Sequence, residues 1–177
     1  VTVDNEQGGF IATEYLIKNG HQEIAFISGP YNSHDNEMRF RGYKRALEQY
    51  NLPFYSKWKI SGDFTREGGY RATKLLIAQQ KLPQAIFFAN DEMALGGIQA
   101  LEEKQINIPD DISIIGFDDI QLAEYVSPSL TTIRQPKYEV GALAVHLIFQ
   151  LLSLEKIDEY YKLTTELIER NSVKKSF

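Results

Sequence analysis

The chain has 177 residues, 43% of them hydrophobic, and its 19 Lys plus Arg against 24 Asp plus Glu leave a formal net charge of −5. That length supports one main unit with a real core, and the acidic balance, with no basic run before Lys174-Lys175, excludes a phosphate-neutralising face for nucleic acid on these residues alone. The lack of cysteine excludes disulfides, thiolate metal sites and thiol nucleophiles and fits a reducing cytosol, while no apolar run approaches about 18 residues and no basic-then-apolar leader opens the chain, so neither a membrane span nor a secretory signal is expected. The first residues, Val1-Thr2-Val3-Asp4, are already strand-like and lack a methionine, which reads as a piece of a longer polypeptide. A helix follows from about Glu6 to Lys18, closed by Asn19-Gly20, then a strand from Glu23 to Ser28. The second helix, Glu37 to Tyr50, carries Tyr43, Ala46, Leu47 and Tyr50 at i, i+3, i+4 and i+7, a stripe that packs on a sheet. After Leu52-Pro53 come a strand at Trp58 to Ser61 and a helix at Arg66 to Gln79; after Leu82-Pro83, a strand at Ala85 to Ala89 and a helix at Asp91 to Gln105. After Ile108-Pro109-Asp110 come strands at Ile112 to Phe117 and Thr131 to Ile133, a helix from Lys137 to Leu154 and a last strand from Lys162 to Ile168.

Continuous apolar runs such as Ala85 to Ala89 suit parallel strands covered on both faces, and their alternation with helices predicts an α/β fold built on a doubly wound parallel sheet. The helix from Lys137 departs from the pattern. Val140, Leu143, Leu147, Leu151 and Leu154 form one stripe, yet Ala142, Val145, Ile148, Phe149 and Leu152 fill its other sides, so it expects neighbours on several faces.

Open parallel sheets hold ligands beyond the carboxyl ends of their strands, and four loops bring polar or aromatic groups there. Ser28 leads through Gly29-Pro30 and Asn32-Ser33-His34-Asp35 to Arg39; Ser61 leads into Gly62-Asp63-Phe64; the next two strands end in Asn90-Asp91 and Asp118-Asp119. Carboxylates, amides and a guanidinium fork match the paired donor and acceptor roles of a sugar hydroxyl or a nucleobase edge, and an aromatic ring covers a sugar face or stacks on a base. Each residue also has a plainer reading: Asn90 and Asp118 as helix or turn caps, Arg39 as one of a solvated basic cluster with Arg41, Lys44 and Arg45, Phe64 as core.

Nothing else carries chemistry. Gly68-Gly69 and Gly96-Gly97 match no phosphate-binding fingerprint and suggest close helix packing, the three histidines make no metal site, no serine lies in a G-x-S-x-G elbow, and Asp118-Asp119 lacks a base or metal partner. No catalysis and no cofactor are expected. An α/β enzyme nonetheless remains a rival reading.

Six segments, in order, closely resemble the effector-binding domain of the lactose/galactose repressor family: Gly20 to Gly29, Arg39-Phe40-Arg41-Gly42-Tyr43, Gly62-Asp63-Phe64, Asn90 to Gly96, Ile108 to Asp119 and Pro128 to Pro136. The resemblance implies a periplasmic-binding-protein-like (type I) fold of two subdomains around a ligand cleft, here truncated. Residues 1–135 would belong to the C-terminal subdomain, 136–160 to a returning helix of the N-terminal subdomain, and 161–177 to the last strand and tail of the C-terminal one, with the operator-binding head absent. It implies a cytoplasmic regulator whose small-molecule effector, a sugar or a nucleoside or base, alters operator binding through that missing head. Family roles fall on Arg39 and Asp118 as polar ligand contacts, Phe64 as the aromatic wall, Asn90 and Gln135 as further contacts, and Ser33 and Asp35 in a loop that varies between members. The family aromatic here is Phe rather than Trp, which leaves the ligand class open. The family also implies a homodimer, with Leu95, Ile98, Leu122, Tyr125 and Val126 at matching interface positions, where ordinary core packing is the alternative. A transporter's solute-binding protein would share the fold and the ligand chemistry; the Leu130 to Pro136 motif favours the repressor.

Overall fold

A computed structural model of the chain describes every residue except 154, 155, 157, 159, 176 and 177. Its centre is a four-stranded parallel sheet in the order β3-β2-β4-β5, with β2 at Ile24–Ser28, β3 at Lys59–Ser61, β4 at Ala85–Phe88 and β5 at Ser113–Ile115. The pleat sends alternate residues to opposite faces. Phe26 and Phe87, register partners in β2 and β4, meet edge to face and join Phe40 and Tyr43 on one side. Their neighbours Ile27 and Phe88 turn to the other side, so all four are fully buried as parallel strands require.

Each face is covered by a helix pair: α1 (Asn5–Lys18) with α2 (His34–Gln49), and α3 (Arg66–Ile77) with α4 (Asp91–Glu102). Both pairs cross through glycines. A Cβ on Gly9 would stand 2.2 Å from Arg39 O and one on Gly42 2.0 Å from Glu6 O, and in the second pair Gly69 meets Met93 O and Gly96 meets Arg66 O in the same reciprocal way. Close packing is thus the reason for the helical glycines Gly69 and Gly96.

Beyond β5 the backbone runs beside β6 (Thr132–Arg134), with Gly116 N–H donating to Thr131 O and Asp118 N–H to Ile133 O. The expected strand from Lys162 to Ile168 is in fact two. Leu163 of β7 (Lys162–Leu163) pairs with Val3 of β1 (Thr2–Val3), whereas Leu167 of β8 (Glu166–Ile168) pairs antiparallel with Ile133, so the chain changes sheets at Thr164-Thr165. The parallel sheet therefore has an antiparallel neighbour that alternation alone does not predict. The short helix α5 (Leu122–Tyr125) was not expected either, and α2 begins at His34 rather than Glu37 because the Ser33 hydroxyl accepts the Asn36 N–H.

The helix after β6, α6 (Lys137–Leu152), buries only Leu147 among the described residues and leaves Tyr138 84% and Leu152 75% exposed. The expected neighbours on several faces are not supplied by the described residues. Its expected last residue, Leu154, lies outside them.

Candidate ligand site

Arg39 is the centre of the carboxyl edge. Although it lies in a basic stretch of α2, it is 4% exposed, and burial pulls its guanidinium below the usual range against the opposing pull of Asp118, Asp35 and Asp91. Buried charge is costly unless it is paired and hydrogen-bonded, and here it is both. Nε donates to Asn5 Oδ1 at 2.8 Å, Nη1 donates to Ala89 O at 2.5 Å and lies 3.4 Å from Asp118 Oδ1, and the guanidinium carbon sits 3.8 Å from the Phe117 ring centre and 5.8 Å from that of Phe64. Nη2 has no partner among the described residues, so its two donors are unused by them.

Asp118 follows the extended run after β5 and has φ 117°. Its Oδ1 accepts from Gln135 Nε2 at 2.5 Å; Oδ2 is unpartnered among the described residues. Burial pushes its carboxyl up, with Arg39 and Gln135 pulling the other way. Phe64, at φ 67°, lays its ring where a Gly29 Cβ would be only 2.3 Å away, so the ring's position requires glycine at 29. Asp63 secures the turn by accepting the Thr65 N–H at 2.9 Å. Left-handed backbone at two non-glycine residues persists only where the surroundings over-determine it, and such residues collect at ligand sites.

The structure thus brings Arg39, Phe64, Asp118 and Gln135 together. Asn90 stands beside them with its side chain engaged: Oδ1 caps α4 through the Met93 N–H and Nδ2 donates to Phe64 O, both at 3.0 Å. It therefore caps the helix and braces the backbone at Phe64. Ser33 caps α2, and Asp35 accepts from Asn5 Nδ2 at 3.0 Å. Asn5 has no signal in the sequence, because α1 is far from α2 along the chain; only the reciprocal glycine crossing brings them together. Two depressions border the group, one of about 590 Å³ lined by Asp119, Arg134 and Gln135 among others, the other of about 600 Å³ lined by Ser28, Gly29 and Ser33 among others. Among the described residues no His, Asp or Glu cluster could hold a metal, and no helix is long and apolar enough to cross a membrane.

Of the expected interface residues, Tyr125 is 70% and Leu122 42% exposed and Val126 is half-buried, whereas Leu95 and Ile98 belong to the buried core cluster. The exposed surface at these positions is therefore supplied by the α5 segment.

A parallel sheet flanked by paired helices carries a guanidinium, a carboxylate and an aromatic ring together at its carboxyl edge, the place where open α/β sheets hold their ligands. Residues 13–173 match the periplasmic binding protein-like domain, and the chain belongs to that family. The curated relatives are regulators: the HTH-type transcriptional repressor PurR of Histophilus somni (strain 2336) is 44% identical over 168 residues, covering 94% of this chain and 50% of the relative, and that of Vibrio campbellii is 41% identical, covering 98% and 52%. The chain spans about half the length of these curated relatives. Among solved structures it is similar to the Escherichia coli transcriptional repressor ascG (32% identity, TM-score 0.89, 97% of this chain and 62% of that one). A LacI family regulator from Enterococcus faecium with bound ribose is also similar (34%, TM-score 0.91, 99% and 65%). The fold is the type I periplasmic-binding-protein-like one, and the resemblance to repressor effector domains is borne out. These relatives are named as repressors and regulators, not enzymes, and the transporter reading is not favoured.

Proposed function

We propose that residues 1–177 are the small-molecule-sensing part of a DNA-binding transcriptional regulator working in the cytoplasm. The observation that carries this is the arrangement of Arg39 and Asp118: each is tied to the protein through part of its polar edge, leaving the Nη2 donors of a guanidinium that faces the Phe64 ring and the Oδ2 acceptor of the carboxylate paired with it. Adjacent hydroxyls of a neutral sugar need such a donor and acceptor together, with an aromatic face for their C–H side. The bound ribose of the Enterococcus faecium regulator and the cellobiose of the CelR complex support a sugar; the PurR name of the curated relatives keeps purine bases as the second class.

In this reading residues 1–135 and 161–177 form one wall of the cleft and residues 136–160 belong to the other subdomain, whose remainder would cover the bare faces of α6. Effector bridging both walls binds the two cleft geometries unequally and so shifts operator affinity, which a DNA-binding head outside these residues would read. The regulator would act as a homodimer, with Leu122, Tyr125 and Val126 at the interface and Leu95 and Ile98 packed behind them. The test is calorimetry on the polypeptide extended to the length of its relatives, titrated with ribose, cellobiose, other neutral sugars and purine bases. Saturable binding of a sugar is the expected result, binding of a purine base alone would transfer the site to the second class, and binding of neither would overturn the proposal.

A further inference from the structure

The first turn of α4 holds both left-handed wall residues. Asn90 donates to Phe64 O at 3.0 Å. Asp91, wholly buried, grips the other wall on both sides of Asp118-Asp119: its N–H donates to Phe117 O at 2.8 Å, its Oδ2 accepts the Ile120 N–H at 3.0 Å, and its Oδ1 accepts Thr132 Oγ1 at 2.6 Å. Capping does not explain this carboxylate, because Asn90 already fills that role for α4. Room is made for it by Gly116, where a Cβ would stand 2.1 Å from Asp91 Oδ1. An ionised carboxylate accepts from both donors through charge-assisted bonds; a protonated one keeps Thr132 only by reversing that bond, and as a neutral acceptor it holds the Ile120 N–H less strongly.

We propose that Asp91 is a positioning residue for effector binding: ionised, it locks residues 117–120 so that the Asp118 carboxylate stays on Arg39 and Gln135, and its protonation loosens that lock. This rests on the reading of the Arg39, Asp118 and Phe64 cluster as the effector site. Burial pushes the Asp91 carboxyl up to about 7, with Thr132 and the Ile120 amide pulling it down and the neighbouring Asp118 and Asp119 pushing it further up. From α2 the group facing it is the Arg39 guanidinium, and from β6 the uncharged Thr132; the nearby cations Arg134 and Arg170 are taken up by Asp119. The lock therefore changes state close to neutral pH.

The test is an NMR pH titration of the 177-residue chain between about pH 5 and 9, following the Ile120 backbone amide and the Gln135 side-chain amide. Both should move through one common inflection near 7, which is absent in Asp91→Asn and displaced to higher pH in Thr132→Val, where one lowering hydrogen bond is lost. Should Asp91→Asn fail to fold, the displacement in Thr132→Val decides alone. A Gln135 signal that does not titrate, that keeps its inflection in Asp91→Asn, or that is unmoved by Thr132→Val overturns the proposal. None of these signals needs an effector, so failure to find a sugar or base that binds would count against the effector reading and leave the lock to be judged by its own titration.

Discussion

Asn5, the first residue of α1, accepts the Nε–H of Arg39 at 2.8 Å, so the guanidinium at the centre of the site is aimed by a helix other than its own. Asn5 is itself buried and gives its amide to Asp35. Replacing it by alanine leaves a buried N–H without its acceptor, a loss of about 1 to 3 kcal/mol in urea unfolding. A change below about 0.5 kcal/mol would show that Arg39 finds another partner at no cost.

The glycine crossing that brings Asn5 to Arg39 predicts a contrast between two otherwise similar substitutions. A Cβ at Gly42 would lie 2.0 Å from Glu6 O and 2.6 Å from Phe10 N, backbone atoms that yield only if α1 moves, whereas Gly141 in α6 has nothing within 4 Å. Gly42→Ala should destabilise by about 1 to 3 kcal/mol through overpacking. Gly141→Ala should be neutral or stabilise by up to about 1 kcal/mol through helix propensity. Thermal melts of the two variants side by side check this; equal effects would contradict it.

Asp91 and Asp119 should affect stability with opposite signs of pH dependence. Burial pushes the Asp119 carboxyl up, but hydrogen bonds and charge from Arg170 and Arg134 outweigh it and hold the group below its ordinary 3.8. Its stabilisation is present above 3.8 and lost as pH falls through the lower folded value, so the deficit of Asp119→Asn against the unsubstituted chain should be full at pH 5 to 7 and shrink under acid.

For Asp91 burial raises the folded value from 3.8 to about 7 because the cost of holding a charge inside the fold outweighs the Thr132 and Ile120 hydrogen bonds. Global stability is therefore greatest below 3.8 and falls as pH rises from there through about 7, even as ionisation tightens the local grip on residues 117–120. Asp91→Asn should therefore lose less stability than the unsubstituted chain between pH 4 and 8. Urea midpoints across that range measure both effects, and parallel curves for the two variants would contradict them.

Much of this was legible in the sequence, and the remainder was hidden for identifiable reasons. Apolar runs such as Ala85-Ile86-Phe87-Phe88 marked parallel strands because both faces are covered, and placing loops at their carboxyl ends was enough to bring Arg39, Phe64 and Asp118 to one edge. Asn5, Thr132 and the clamp role of Asp91 were not legible, since each depends on a contact between segments distant in the chain. Leu95 and Ile98 look like surface candidates by position, yet they join the core because α4 is apolar over more than one face. The split of the last strand escaped because alternation in Lys162 to Ile168 says which residues can pair and not which sheet they pair with.

The central claim is that Arg39 and Asp118 together hold the effector. Once a binding sugar or base is in hand, calorimetry on the unsubstituted regulator, Asp118→Asn and Arg39→Gln measures that claim directly. Truncating one partner of a buried, hydrogen-bonded charge pair costs about 2 to 5 kcal/mol, so each variant should bind about thirtyfold more weakly or worse while remaining folded. Affinity unchanged in both variants would contradict the account.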